Sequence, residues 1–268
     1  MEILGYIASV LIGISLGMVG SGGSILTVPV LVYLMSIDPV LATTSSLFIV
    51  GTTSLVGGFR AYSKRLVDFR AVTEFGIPSI FSIFITRHYV LPALPDNMFS
   101  IGTIQVSKSM FLMVVFALLM LVASVSMIRN NNNAEKKVTD SETSRQNKVF
   151  PLVLLGILVG FVTGLLGAGG GFLIIPSLVL FLRLPMKTAI GTSLLIIGIN
   201  SLFGFLFSLK QFEYNWMVLI VFTILAIAGI FIGSKLADRI PGSSLKKGFG
   251  WFILVMGIYI IIKEVFLK

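Results

Sequence analysis

Apolar runs separated by short polar breaks fill most of the 268-residue chain. A hydrocarbon core of about 30 Å takes about 20 helical residues to cross. By that rule the first half holds five apolar segments: Ile3 to Val19, Ser24 to Met35, Val40 to Arg60, Ala71 to Val90 and Ser107 to Ile128. Five more follow: Pro151 to Leu166, Phe172 to Leu182, Met186 to Ser208, Asn215 to Ala237 and Leu245 to Ile262. Ser24 to Met35 and Phe172 to Leu182 each make only about 17 Å of helix, too short to cross alone. Both begin at clustered glycines. Between the halves, Arg129 to Lys148 is polar throughout and has no stripe to bury, which predicts an exposed cytoplasmic tether.

The two sets of five are copies. Gly17 to Pro29, GMVGSGGSILTVP, recurs 147 positions later as Gly164 to Pro176, GLLGAGGGFLIIP. Gly13 to Gly57 and Gly160 to Gly204, aligned without a gap, share 17 of 45 residues, where this composition gives roughly 4 by chance. Five segments per copy is an odd number, so the copies must enter the membrane from opposite faces. Basic residues agree: with the N-terminus outside, the inner loops hold 15 of the 20 Lys and Arg residues, the bias of cytoplasmic loops. A glycine hairpin that dips in and returns to its own face gives the same sidedness, so the count does not separate ten crossings from eight plus two re-entrant pairs. The predicted fold is an all-α integral membrane protein. It has about ten transmembrane or re-entrant helices in two inverted five-helix repeats, residues 1–128 and 149–268, joined by the linker 129–148. Inverted repeats with broken helices recur in secondary transporters.

Composition narrows the classes. With 56% hydrophobic and 12% charged residues and a mean hydropathy of +1.03, a soluble globule would lack polar surface to cover itself. No short apolar stretch ends in a cleavage signature, so residue 1 is read as part of the protein. Cysteine is absent and His88 is the single histidine. That excludes a disulfide framework and a thiol nucleophile, and leaves too few partners for a metal site or a Ser-His-Asp triad. No enzyme activity, cofactor or metal is therefore expected. The net charge of +9 belongs to membrane-flanking loops rather than to nucleic-acid binding. The expected partners are a small anionic substrate and the lipid bilayer; association into a homo-oligomer is left open.

The candidate site is built on the glycine clusters. Broken backbone at membrane depth survives only where protein or a watery cavity satisfies its amides. A helix starting there offers free N–H groups and a positive dipole end to an anion. This singles out Gly20, Ser21, Gly22, Gly23 and Ser24 in copy one, and Gly167, Ala168, Gly169, Gly170 and Gly171 in copy two. Positive φ is expected at Gly22, Gly23, Gly169, Gly170 and Gly171, with Pro29 and Pro176 kinking the short helices beyond. The alternative is that these glycines serve close helix packing. The third segments add hydroxyls and an amide at matched positions: Ser45, Ser46 and Thr53 in one copy, Thr192, Ser193 and Asn200 in the other. Ser46 and Thr53, like Ser193 and Asn200, stand two turns apart on one face and can donate to oxyanion oxygens, unless they bond back to their own helix. Of the ionisable residues, Glu74 suits the start of its helix. Arg87 is expected to snorkel at the outer boundary, with an outer anion-attracting role as the alternative, and His88 to face the headgroups.

At GSGGSILTVP, at GAGGGFLIIP and at the GTS of Gly191 to Ser193 with its counterpart Thr44 to Ser46, the chain resembles the sulfite exporter TauE/SafE family. The resemblance covers both halves and leaves out Arg129 to Lys148. It implies a bacterial inner-membrane secondary transporter for sulfite, sulfonates or related oxyanions. The chain departs from the pattern at Ser24, and its copies differ where Ser82 and Thr86 stand opposite Gly229 and Gly233. An anion channel or a non-transporting membrane scaffold are the alternative functions.

Overall fold

A computed structural model describes residues 2–95, 97–101, 104–129, 149–167, 169–182, 184–237 and 242–266. The tether predicted at 129–148 therefore falls, from residue 130 on, outside the described residues. Ten α-helices of at least seven residues stand among those described. They are α1 (Glu2–Val19), α2 (Thr27–Tyr33), α3 (Pro39–Ser63), α4 (Phe69–Ile85), α5 (Lys108–Arg129), α6 (Val149–Leu166), α7 (Gly171–Phe181), α8 (Met186–Ser208), α9 (Trp216–Ala237) and α10 (Gly242–Phe266). A 3-10 helix, Gly20–Leu26, joins α1 to α2, and a π-helical turn, Thr86–Val90, extends α4.

Local chemistry sets several boundaries. Asp38 caps α3, its carboxylate accepting from Val40 N at 2.9 Å and Leu41 N at 3.3 Å, with Pro39 at the first helical position. Asp68 caps α4 through Ala71 N at 3.0 Å. One element was not read from the sequence: an antiparallel hairpin of β1 (Asn97–Ile101) and β2 (Ile104–Ser107) precedes α5.

Four helical stretches are long and apolar enough to cross a membrane: Pro39–Ser63, Phe69–Ala93, Lys187–Ser208 and Trp216–Leu236. Leu4–Val19, Gly23–Tyr33, Lys108–Val122 and Phe150–Leu166 are shorter apolar helices. Large apolar side chains point outward at helical spacing, as at Leu4, Ile7 and Leu11 on α1 and Met217, Ile220 and Ile224 on α9. Hydroxyls line the interior, with Ser24, Thr27, Thr43, Thr44 and Ser46 fully buried. A soluble protein rarely exposes so continuous an apolar surface.

The helices pack chiefly across the two halves: α1 on α9, α4 on α6, α3 on α8 and α5 on α10, with α4 also on α8 and α3 also on α9. Close approaches at glycines come in pairs shifted by 147. A Cβ at Gly13 would strike the Ala226 carbonyl, and one at Gly160 the Ser79 carbonyl. Gly51 sits against Leu202 and Gly198 against Leu55; Gly57 meets Leu194 and Gly204 meets Leu47. The same contacts run α3 and α8 antiparallel, close enough that the glycines are needed for the backbones to meet.

Candidate functional site

The first glycine cluster bends once, at Gly20, where α1 gives way to the 3-10 helix. Val19, Leu26 and Thr27 are all right-handed, and the Thr27 N–H donates to the Ser24 carbonyl, so α2 follows on from the 3-10 helix instead of starting afresh. The second cluster is a true break: Gly167, Gly169 and Gly170 have φ of 69°, 69° and 64°, and Gly170 caps α7. Positive φ in copy one falls on Gly20, at 71°. Gly23 and Gly171 lie in right-handed helix, which corrects the expectation there. Gly23 answers a packing demand, since a Cβ would come within 2.6 Å of Leu16 N on α1; Gly170 likewise backs onto Thr163 and Val159 of α6. Ser21 and Gly22 belong by their backbone to the 3-10 helix, and Ala168 lies outside the described residues. Pro29 and Pro176 sit within α2 and α7, where each lacks the N–H that would reach back to residues 25 and 172.

Both breaks lean on the α3–α8 pair. Gly167 abuts Thr43 so closely that a Cβ would lie 2.6 Å from Thr43 Cα. Ser46 Oγ reaches both the Gly167 carbonyl and, at 3.0 Å, the Thr43 carbonyl. A Cβ at Gly169 would stand 3.1 Å from Val50 Cγ1 and 3.2 Å from Ser201 Oγ. A Cβ at Gly20 would stand 2.8 Å from Ile190 Cγ2 and 3.4 Å from Ile175 Cδ1 of α7, so the broken segments of the two halves lie against each other. Thr43 and Ile190 each precede the centre of the antiparallel crossing by about ten residues, or about 15 Å of helix. The bends therefore lie toward opposite ends of the crossing, not together at its centre.

The matched polar residues of the third helices divide. Ser193 Oγ donates back to the Ile190 carbonyl at 2.8 Å. Thr192 Oγ1 accepts from Asp68 N at 2.9 Å and pins the loop before α4. Asn200 Nδ2 donates to Ser79 Oγ on α4 at 2.6 Å, and Ser45 is buried. Thr53 Oγ1 and Asn200 Oδ1, 147 apart, are buried without a partner, and so are the next pair, Ser54 Oγ and Ser201 Oγ. The sequence search stopped one residue short of that second pair.

Arg87 departs from the expectation of a boundary residue. Instead of snorkelling, the side chain is completely buried, in the π-helical turn, an irregularity frequent at functional positions. Its Nη1 donates to Thr44 Oγ1 at 2.7 Å and its Nη2 approaches Thr43 Oγ1 at 3.4 Å. Arginine inside an apolar segment was the signal available. His88 is exposed and stacks on Phe84 at 5.4 Å. Glu74 pairs with Arg70 at 2.6 Å, one turn away.

A cleft of about 690 Å³ opens above this region, between Asp38, Val40, Leu91, Lys108 and Gln211. It gathers the loops after α2, before α5 and after α8 at one end of the bundle. Lys108 Nζ donates to the Leu91 and Leu94 carbonyls at 2.5 and 3.3 Å. Tyr214 stands nearby, its hydroxyl donating to the Ser208 carbonyl at 3.0 Å. Burial pushes its phenol up to about 12, against the opposing pull of Arg87.

Apolar outer faces, a hydroxyl-lined interior and helices broken at glycine define a multi-pass α-helical membrane protein. Residues 5–260 match the sulfite exporter TauE/SafE family, and the chain belongs to it; it is a membrane transporter. A "Probable membrane transporter protein" of Xylella fastidiosa is 28% identical, the match covering 94% of this chain and 91% of that one. Proteins with the same description from Methanocaldococcus jannaschii (25% identical, 94% of each chain) and Bacillus subtilis (25% identical, 97% and 96%) are also similar end to end. No solved structure matches the chain.

Proposed function

We propose that the protein is a secondary carrier of small oxyanions, of the sulfite or organosulfonate class, in a bacterial inner membrane. It works by alternating access between two inverted five-helix halves, residues 1–128 and 149–268. The carrying observation is the exchange of contacts under a shift of 147: Gly13 with Ala226 becomes Gly160 with Ser79, and Gly20 with Ile190 becomes Gly167 with Thr43. A pseudo-twofold axis relating the halves produces that exchange, and rocking about such an axis opens the crossing alternately to either face. Hydroxyls left unpaired at Ser54 on α3 and at Ser201 on α8, the latter beside the Gly169 break, supply neutral donors to an oxyanion.

The test is counterflow in proteoliposomes. Vesicles preloaded with unlabelled sulfite should take up labelled sulfite faster than empty ones, because a carrier returns loaded. Uptake without that acceleration would identify a channel; no uptake of sulfite or any sulfonate would refute the oxyanion reading.

A further inference from the structure

Resting on that reading, we infer that Arg87 is the charged anion-binding residue of the carrier, entered from the cleft above it and present in one half only. The guanidinium is completely buried and, among the described residues, has no carboxylate partner. Its two contacts are hydroxyls whose own hydrogens are committed elsewhere: Thr43 Oγ1 donates to the Val40 carbonyl at 2.7 Å and Thr44 Oγ1 to the same carbonyl at 3.4 Å. Those threonines face Arg87 as neutral acceptors. They orient the cation without balancing its charge, and Nε is left with no partner at all. An unbalanced buried cation is strongly unfavourable, and inside an apolar segment it marks a ligand path. A planar guanidinium with spare N–H groups is matched by an oxyanion that can accept two parallel hydrogen bonds, such as sulfite or a sulfonate.

The approach is short. Val40, whose carbonyl holds both threonines, lines the cleft, as do Leu91, four residues after Arg87, and Gln211, whose Nε2 donates to the Arg87 carbonyl at 3.5 Å. Arg87 thus lies one hydrogen-bonded layer beneath the cleft floor. The second glycine break borders the same spot, since Gly167 abuts Thr43 and Gly164 abuts Thr86. At the matching position of the other half stands Ser234, which donates back to its own helix at Phe231. The two halves are therefore unequal at this position: one places a buried guanidinium there and the other a hydroxyl.

The experiment compares purified wild type with Arg87→Gln and Arg87→Lys. It follows the rise in unfolding temperature on adding sulfite or methanesulfonate, alongside the KM for labelled sulfite. Loss of a charge-assisted hydrogen bond predicts apparent affinity weakened at least about tenfold in Arg87→Gln. Arg87→Lys should fall between that variant and wild type, and the ligand-free unfolding temperature should not drop in either. Arg87→Gln that keeps the wild-type response to both anions overturns the inference. So does a drop in ligand-free stability with anion response intact, the mark of a purely structural arginine. If Arg87→Gln does not fold, Arg87→Lys decides, because unchanged affinity on losing the planar fork overturns it too. Wild type that answers to no oxyanion fails the function reading itself, a result distinct from wild type and Arg87→Gln responding alike.

Discussion

Replacing Gly167 and its copy-one equivalent Gly20 by alanine should give unequal damage at matched positions. Both glycines have left-handed φ, 69° and 71°, a conformation that costs an L-residue about 1–2 kcal/mol. The second contribution separates them. At Gly167 the new methyl strikes the Thr43 main chain, which cannot yield without shifting α3, and overpacking of that kind adds about 1–3 kcal/mol. At Gly20 it meets Ile190 Cγ2 at 2.8 Å, side chain instead of main chain, so a smaller displacement relieves it. Gly167→Ala should then lose about 2–5 kcal/mol, against roughly 1–3 kcal/mol for Gly20→Ala. At about 2–4 °C per kcal/mol the larger loss lowers the unfolding temperature by roughly 4–20 °C. The control is Gly76→Ala in α4, where nothing lies within 4 Å of the added methyl and helix propensity predicts a gain of up to about 1 kcal/mol. Fluorescence-monitored unfolding in detergent measures all three. Gly167→Ala as stable as Gly76→Ala, or less damaging than Gly20→Ala, would refute the contact geometry.

Ser54→Ala and Ser201→Ala remove buried hydroxyls that bond to nothing, so stability should hold or rise by about 1 kcal/mol while sulfite flux falls; flux at the wild-type rate would remove them from the path. The phenol of Tyr214, raised from its ordinary value of 10 to about 12, stays protonated in the fold after the unfolded chain has begun to ionise. Its stabilising contribution is thus complete below pH 10 and is lost as pH climbs through 12; Tyr214→Phe should flatten that decline in a pH series of unfolding temperatures. Asp38→Asn keeps an α3 cap through the side-chain oxygen but removes a negative charge from the cleft wall. It should lower the KM for sulfite presented on that side by about twofold to fivefold at low ionic strength, an effect that salt should erase.

Among the described residues the long helices were legible because membrane length and apolar runs dictate them: Val40 to Arg60 and Met186 to Ser208 match α3 and α8 closely. The hairpin at Asn97–Ser107 escaped because its strands are short and lie beside a long apolar run. At the site, the shared spacing led to Ser46, which does reach the Gly167 carbonyl. It could not say that Asn200 turns to Ser79 on α4, nor that Thr192 is taken up by Asp68 N.

By itself the sequence determined a duplicated, bilayer-embedded chain with a glycine interruption in each copy, because hydropathy and repeat spacing are properties of the chain alone. Which glycines bend and which merely let helices touch was decided by tertiary packing: Gly170 and Gly23 occupy matched positions, yet one is left-handed and the other helical. The same holds for Arg87. A side chain at a segment's edge can reach water or turn inward, and only the neighbouring helix, which brings Thr43 and Thr44 within reach, settles which.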